Sequence, residues 1–271
     1  MNYKYLLSFI LVGYTVVCVI VYFIQDKLIF FPRPIDRESA EGITESRSCL
    51  EEVFIDTPDG VKLHGWLCRK DIHAPVLLYF GGNAEEVSWL HEDHDFPRDW
   101  SLLFMNYRGY GLSQGKPSEA DLKKDALLIY DHMMQELGVA PSTVVVKGRS
   151  MGTAIATHVA AHRKVDGVIL VSPFESILQI ARSTFPFLPV KLLLRHPFHA
   201  AKDAAGVKAP LLCFLAEQDQ VVPPSSSQAL YDAWAGEKEL VVLPNHDHNT
   251  IMSELYLWQN IKLFLHNISE N

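Results

Sequence analysis

The chain has 271 residues, 48% of them hydrophobic, which is enough for one large α/β domain or two small ones with a sizeable buried core. Its formal net charge of -8 at pH 7 argues against a nucleic-acid-binding protein, because such proteins usually present a basic face. The histidines and cysteines lack the spacing of metal ligands, so the sequence predicts neither a metal ion nor a cofactor.

The first predicted element is a membrane-spanning helix. Residues 6–24 carry no charge, and with Tyr5 they form an apolar run of about 20 residues, or roughly 30 Å of helix, which matches a bilayer core. A cleaved signal peptide is the alternative. The run is longer than a usual signal core, however, and Gln25-Asp26-Lys27 follows it instead of small residues. We therefore expect residues 1–27 to be an uncleaved, single-pass anchor.

Residues 28–48 are interpreted as a linker. Its apolar start, residues 28–31, is expected at the membrane surface or packed on the following domain, and residues 36–48 are polar. Basic residues lie on both sides of the anchor, with a small excess after it. The positive-inside rule therefore slightly favours the cytoplasm for the rest of the chain and leaves the orientation ambiguous.

The cysteines do not suggest a disulfide framework. Cys18 lies in the apolar run, which leaves the odd number Cys49, Cys68 and Cys213 outside it. We expect Cys68 and Cys213 to be small buried hydrophobic residues. The redox compartment stays open at this point.

Residues 49–271 alternate between strand and helix patterns. Alternating apolar residues on either side of Pro58-Asp59-Gly60 predict a hairpin. Continuous apolar runs predict buried strands at 75–80, 102–105, 144–146, 167–171, 210–216 and 240–243, with helices at 119–137, after 150, at 225–234 and from 251 onwards. This order predicts an α/β fold with a mostly parallel sheet and helices on both faces.

The strand at 144–146 leads directly into Gly148-Arg149-Ser150-Met151-Gly152, which has the form Gly-x-Ser-x-Gly. Small apolar residues at helical spacing follow it. A strand, a sharp turn and a helix are the context of a nucleophile elbow, in which glycines let two backbones pass closely. Ser150 is therefore the candidate nucleophile.

An acid and a base are expected downstream of Ser150, in that order. Asp219 follows the strand at 210–216, and His248 follows the strand at 240–243. The carboxyl ends of parallel strands meet at one edge of a sheet, so these residues can converge there. The histidine would accept the serine proton, and the aspartate would orient the imidazole and stabilise its charged form.

His246 lies in the same loop as His248, and spacing alone does not distinguish the two. His248 directly precedes Asn249-Thr250, which can cap the terminal helix and so fix the backbone of the histidine. A general base needs such a fixed position. We therefore predict His248 as the base.

Two backbone N–H groups are needed to bind the oxyanion. Met151 follows the nucleophile and supplies one. The other is expected from Gly81-Gly82-Asn83, directly after the strand at 75–80, with Asn83 as the first choice and Gly82 as the second.

Residues 174–199 differ from the rest of the domain because they are rich in apolar side chains and are interrupted by three prolines. The pattern predicts short helices that form a cap over the sheet edge. Phe185 and Leu188 are predicted to contact the substrate, since the segment has more Leu and Phe than coverage of the sheet requires.

Several stretches resemble the bud-emergence-suppressor type of α/β-hydrolase-domain proteins. They are Gln25-Asp26-Lys27-Leu28-Ile29-Phe30-Phe31-Pro32, Gly82-Asn83-Ala84-Glu85, Asn106-Tyr107-Arg108-Gly109-Tyr110-Gly111-Leu112-Ser113, Gly148-Arg149-Ser150-Met151-Gly152 and Phe187-Leu188-Pro189-Val190. Together they extend over nearly the whole chain. Gly81 departs from the family, which usually has a histidine there.

The resemblance implies an α/β-hydrolase fold and a membrane-anchored serine hydrolase. Relatives of this type include depalmitoylating thioesterases and lipid esterases, so the implied substrate is an acyl ester or thioester of a lipid or a lipidated protein. The alternatives are a peptidase of the prolyl-oligopeptidase type and a catalytically silent membrane-bound binding protein. The first lacks its large gating domain here, and an apparently complete triad argues against the second.

Overall fold

A computed structural model describes residues 3–92, 97, 99–135 and 142–270 of the chain. Its centre is an eight-stranded sheet with the order β1-β2-β4-β3-β5-β6-β7-β8, in which β2 runs antiparallel to both its neighbours and the other pairs are parallel. The strands are β1 (Leu50–Asp56), β2 (Lys62–Cys68), β3 (Val76–Phe80), β4 (Ser101–Met105), β5 (Val144–Arg149), β6 (Gly167–Val171), β7 (Leu211–Ala216) and β8 (Lys238–Leu243). The predicted α/β fold is confirmed.

Helices cover both faces of the sheet. They are α1 (Tyr3–Ile29), α2 (Arg37–Ser46), α3 (Glu119–Gln135), α4 (Met151–His162), α5 (Ile177–Thr184), α6 (Val190–Leu193), α7 (Ala200–Ala204), α8 (Pro224–Ala233) and α9 (Leu255–Ser269), with 3₁₀ helices at Val87–Glu92 and Thr250–Ser253. One apolar cluster lies between the sheet and α3, α4, α7 and α8. The other lies between the sheet, α2 and α9. The central strands β3 to β7 are buried on both faces, which explains their continuous apolar sequences.

The helices also show where the sequence patterns are imprecise. The predicted end of α3 at residue 137 lies outside the described residues. The terminal helix begins at Leu255 rather than 251, because residues 250–253 form a 3₁₀ turn and the carboxylate of Glu254 accepts the N–H of Tyr256 at the start of α9. The cap predicted at 174–199 contains α5 and α6.

Helix α1 is long and apolar enough to cross a membrane. Its mean hydropathy is 2.5 over the most apolar stretch, almost none of which is buried against the rest of the protein. Apart from Asp26, the shielded positions Cys18, Val21, Gln25 and Ile29 lie on one face of the helix at spacings of three and four residues. Most of the helix is therefore free to contact lipid, while one face contacts the domain.

The prediction of a linker at residues 28–48 is wrong for residues 37–46, which form a helix, whereas the apolar start of the segment packs on the domain, which was one of the two expectations. Phe30 is 3% exposed and belongs to the main apolar cluster. Residues 37–46 form α2, which begins where the carboxylate of Asp36 accepts the N–H of Ser39 and which buries Ala40 completely. A short polar helix has too few apolar residues for periodicity to reveal it, so the sequence pattern resembled a linker.

The prediction for Cys68 is also wrong. Cys49 and Cys68 form a disulfide that joins the start of β1 to the end of β2. The hairpin register places Leu50 opposite Cys68, so the two sulfur atoms meet at its open end. The odd number of cysteines outside the apolar run concealed this pair. The third of them, Cys213, is a free cysteine that lies fully buried in β7.

Candidate active site

Ser150 occupies the sharp turn between β5 and α4. Its φ of 50° lies in the left-handed region, which costs free energy in a residue with a side chain and is typical of a nucleophile elbow. The backbone can turn here because residue 152 has no side chain. A Cβ on Gly152 would come within 2.1 Å of the Phe80 carbonyl oxygen. A Cβ on Gly148 would come within 2.3 Å of the Gly152 carbonyl oxygen. The two glycines therefore allow the elbow to pack directly on β3.

Ser150, His248 and Asp219 lie in one hydrogen-bonded row. The distance from His248 Nε2 to Ser150 Oγ is 2.9 Å, and the distance from His248 Nδ1 to Asp219 Oδ2 is 2.7 Å. All three residues are less than 9% exposed. The three predicted residues come from the carboxyl ends of β5, β8 and β7 and meet at one edge of the sheet.

Hydrogen bonds keep Asp219 ionised. Burial acts to raise its pKa, but the hydrogen bonds from His248 and from the backbone N–H groups of Val222 and Val221 outweigh burial, and the pKa of Asp219 is lowered. Both backbone groups donate to Oδ1, which leaves Oδ2 for the imidazole. An ionised Asp219 accepts the Nδ1 proton of His248, so Nε2 is left as the acceptor that faces Ser150.

His246 points away from the nucleophile. Its Nδ1 lies 2.9 Å from the carbonyl oxygen of Pro244, and its Nε2 lies 3.1 Å from Glu254 Oε2. The prediction that Asn249 or Thr250 caps the terminal helix is wrong, since Asn249 makes no side-chain cap. Instead Asp247 Oδ1 accepts the N–H groups of both Asn249 and Thr250. The loop is still fixed at His248, but by the preceding carboxylate.

The predicted oxyanion residues Asn83 and Met151 both line the cavity beside Ser150. Gly82 is excluded as a donor because its N–H already binds Glu85 Oε2 at 2.8 Å. Asn83 is held from the other side, since its carbonyl oxygen accepts the N–H of Phe31 and its side-chain amide donates to the carbonyl of Ile29. The residues at and just after the end of α1 thus fix the backbone next to Ser150.

The cavity beside Ser150 has a volume of about 170 Å³. Apart from Ser150 and Asn83, its described lining is apolar: Leu28, Ile29, Met151, Phe174, Ile177, Ile180, Val221 and Val222. The contribution of Leu28 and Ile29 was not predicted from the sequence. Both belong to the stretch that carries the family resemblance, which was the only available signal.

Phe185 and Leu188 do not line the Ser150 cavity. They line a neighbouring cavity of about 220 Å³ between the cap and α1. Ile177, Ile180, Leu28 and Ile29 line both cavities, so the two adjoin. The structure therefore places the two predicted substrate-contacting residues at a distance from the nucleophile, along an apolar path.

Glu85 and Arg149 form a brace behind the nucleophile that sequence reasoning did not assign. Arg149 Nη1 lies 3.3 Å from Glu85 Oε2, and Nη2 donates to the carbonyl oxygen of His248 at 3.2 Å. Glu85 also accepts the N–H of Gly82 and the hydroxyl of Tyr79. One ion pair thus joins the loop that carries Gly82 and Asn83 to the loop that carries His248.

Comparison with known families supports this architecture. A family model described as serine aminopeptidase, S33, matches residues 71–195. The α/β-hydrolase domain-containing protein WAV2 of Arabidopsis thaliana is 31% identical over 76% of this chain and 74% of its own length. The uncharacterized membrane protein YNL320W of Saccharomyces cerevisiae is 30% identical over 85% of this chain and 83% of its own. Protein Bem46 of Schizosaccharomyces pombe is 26% identical over 82% and 80%.

Solved structures show the same fold. The esterase Pf2001 of Pyrococcus furiosus superposes with a TM-score of 0.67 at 16% identity, over 88% of this chain and 97% of that chain. At this identity the likeness concerns the arrangement of the sheet and helices alone.

Proposed function

The chain belongs to the α/β-hydrolase family, in the group that includes WAV2 and Bem46, and we propose that it is a membrane-anchored serine hydrolase of acyl esters or thioesters. The observation that carries the proposal is the hydrogen-bonded row from Asp219 through His248 to Ser150, which opens onto an apolar cavity. A buried serine in contact with an imidazole has the geometry of an activated nucleophile.

In the proposed reaction His248 Nε2 accepts the proton of Ser150 as Oγ attacks the acyl carbonyl carbon. The negative charge that forms on the carbonyl oxygen is stabilised by the N–H groups of Met151 and Asn83 and by the amino-terminal end of α4. His248 then donates the proton to the leaving alcohol or thiol, and an acyl-enzyme remains. A water molecule activated by His248 hydrolyses that ester and restores Ser150. Asp219 holds the imidazole in position and stabilises its charged form.

The lining of the cavity favours an acyl ester over a peptide. An aminopeptidase must bind the charged amino group of its substrate, for which a carboxylate is the usual partner. The described lining of the Ser150 cavity contains no carboxylate. Apolar walls instead fit a hydrocarbon chain, whose burial contributes about 0.8 kcal/mol per methylene group. The substrate we propose is a lipid or a lipidated protein.

A fluorophosphonate probe tests the nucleophile. The wild-type protein should be labelled on Ser150 and should hydrolyse p-nitrophenyl esters, with a palmitoyl thioester included in the panel. Ser150→Ala should lose labelling and at least about 10⁴-fold of the turnover. Ser253→Ala is a matched control because Ser253 is an exposed serine away from Ser150, and this variant should behave as wild type. Turnover by a folded Ser150→Ala variant would exclude the mechanism, and absence of labelling in the wild type would favour a silent binding protein.

The anchor is a separate part of the proposal. The apolar α1 and the membrane assignment of a relative support a single-pass protein. The full-length protein should then stay in the membrane pellet after an alkaline wash. Release into the supernatant would show that the segment is cleaved or does not span the bilayer.

A further inference from the structure

The cap lies along the membrane helix rather than only over the active site. The hydroxyl of Tyr14 donates to the carbonyl oxygen of Phe187 at 2.8 Å. Eleven residues further on, Gln25 donates to the carbonyl oxygen of Leu193 and accepts the N–H of Arg195. These contacts are separated by about 16 Å along α1. The tip of the cap therefore lies beside the apolar part of α1 and at the same level as hydrocarbon if α1 spans a bilayer.

The backbone at the tip of the cap is suited to apolar surroundings. The N–H groups of Phe185, Leu188 and Val190 donate to carbonyls within the segment, and Pro186 and Pro189 have no N–H, so among residues 185–190 only the N–H of Phe187 lacks a partner in the described part of the chain. Irregular backbone is tolerated in a membrane only where such groups are satisfied by the protein. The loop that carries Phe187, which is 87% exposed, therefore has few backbone N–H groups that need water as a hydrogen-bond partner.

The side chains of the cap also match a lipid surface. Phe185, Phe187 and Leu192 of the cap are exposed large apolar residues. Residues 176–195 contain no acidic residue, and their charged residues are Arg182, Lys191 and Arg195. Such apolar residues can enter the hydrocarbon while the long basic side chains beside them extend toward the headgroups of an anionic membrane.

The cavity between the cap and α1 joins this surface to the nucleophile. Its wall is formed on one side by Val21, Gln25 and Leu28 of the membrane helix, and on the other by the cap. Ile177 and Ile180 line both this cavity and the one at Ser150. A hydrocarbon chain whose carbonyl lies at Ser150 can therefore continue past these two residues to α1 without crossing a polar surface.

We propose that α1 and the cap form a lateral port through which an acyl chain of a bilayer phospholipid reaches Ser150. The proposal rests on the proposed serine hydrolase function and adds the substrate class and its route. A phospholipid fits better than a water-soluble ester because one wall of the port is the membrane helix itself. Arg195 is paired with Asp26 of α1, but Arg182 and Lys191 of the cap can bind the phosphate of the headgroup while the chain enters between the apolar walls.

Blocking the port in the full-length protein, reconstituted in anionic phospholipid vesicles, tests the route. Val21→Trp fills the cavity from α1, whereas Val19→Trp places the same side chain on the lipid-facing side of the same helix. We expect Val21→Trp to lower the rate on a fluorogenic long-chain phospholipid at least tenfold relative to the rate on p-nitrophenyl acetate. We expect Val19→Trp to keep the wild-type ratio. An unchanged ratio in Val21→Trp would overturn the port.

Three further outcomes separate the port from the underlying activity. A wild-type protein that hydrolyses the acetate and not the vesicle phospholipid retains the proposed function and overturns the port. Hydrolysis of a vesicle-bound palmitoyl-cysteine peptide in place of the phospholipid would overturn the lipid as occupant. Absence of both acetate hydrolysis and fluorophosphonate labelling would overturn the proposed function, and with it the port.

Immersion of the cap has a readout that does not depend on activity. Phe187→Trp introduces a fluorophore at the tip of the cap, and Ile72→Trp introduces one at an exposed site before β3, at the opposite edge of the sheet. Lipids with brominated chains should quench the added emission of Phe187→Trp and not that of Ile72→Trp. Equal quenching of the two, or none, would show that the cap does not enter the bilayer.

Discussion

The two histidines of the loop between β8 and α9 are predicted to differ in function because their rings have different partners. His248 lies between Asp219 and Ser150, whereas His246 contacts Pro244 and Glu254. His248→Ala should therefore lose turnover and fluorophosphonate labelling, by on the order of 10⁴-fold in turnover. His246→Ala should keep most of both. Initial rates and labelling of the two purified variants decide the matter, and the reverse pattern would assign the base to His246.

Arg149 is expected to act as a positioning residue. Its guanidinium contacts Glu85 and the carbonyl of His248, and so connects the oxyanion loop to the base. Arg149→Met should lower kcat by about 10- to 100-fold, because a displacement of about 1 Å in catalytic groups has an effect of that size. The KM for an acetyl ester should change much less.

A matched control for Arg149→Met is Arg163→Met, since Arg163 forms an ion pair with Asp131 away from the site. It should leave kcat near the wild-type value. A raised KM with an unchanged kcat in Arg149→Met would instead show that Arg149 contributes to substrate binding.

At the scale of elements, the contact between the elbow and β3 leaves no space for a side chain. A Cβ on Gly152 would lie 2.1 Å from the backbone oxygen of Phe80, and backbone atoms cannot move aside as a flexible side chain can. Gly152→Ala should therefore lower the free energy of unfolding by about 1–3 kcal/mol and should also reduce activity.

Gly42 provides the comparison for Gly152. No atom lies within 4 Å of a Cβ added to Gly42, and this residue is in the interior of α2. Gly42→Ala should stabilise the protein by up to about 1 kcal/mol through helix propensity alone. Urea unfolding of both variants measures the difference, and similar stability changes would show that the elbow can adjust.

The elements that could be predicted from the sequence are those whose pattern is local. Strands buried on both faces have continuous apolar sequences, and the elbow has its glycines at fixed positions, so the sheet and Ser150 were identified. The disulfide, the brace between Glu85 and Arg149 and the two cavities depend on residues that meet only after folding. The cap was predicted from its composition, but its contact with α1 at Tyr14 has no local signature in the sequence.

At the scale of the whole molecule, the end of α1 and the hydrolase domain share a core. Phe30 follows the last turn of α1, is 3% exposed and packs against Phe198 and His196. Phe30→Ala should lower the free energy of unfolding by about 3–5 kcal/mol, as truncation of a buried phenylalanine does. Phe31→Ala, at the neighbouring and half-exposed position, should have a much smaller effect.

Thermal unfolding of the detergent-solubilised full-length proteins measures both phenylalanine variants. Equal stability of Phe30→Ala and the wild type would mean that the anchor and the domain are energetically independent. The predicted difference would instead show that the end of α1 is an integral part of the hydrolase fold.

The disulfide bears on the side of the membrane at which the domain lies. Disulfides persist in oxidising compartments and are rare in the cytosol, so the Cys49–Cys68 pair argues against the slight cytoplasmic preference of the positive-inside rule. That preference rests on a small difference in basic residues, whereas a thiol pair in a reducing compartment would stay reduced. We therefore expect the domain to lie on the oxidising side, where the bond contributes about 3 kcal/mol by restricting a loop of this length in the unfolded chain.

Alkylation of denatured protein from intact cells tests this orientation. Cys49 and Cys68 should react with a maleimide polymer only after reduction, and Cys49→Ser should leave Cys68 reactive without a reductant. Cys18 and Cys213, which are free cysteines, provide the internal reference in both proteins. If the wild-type protein gains no additional label on reduction, the bond is not formed in the cell, and the argument for an oxidising compartment fails.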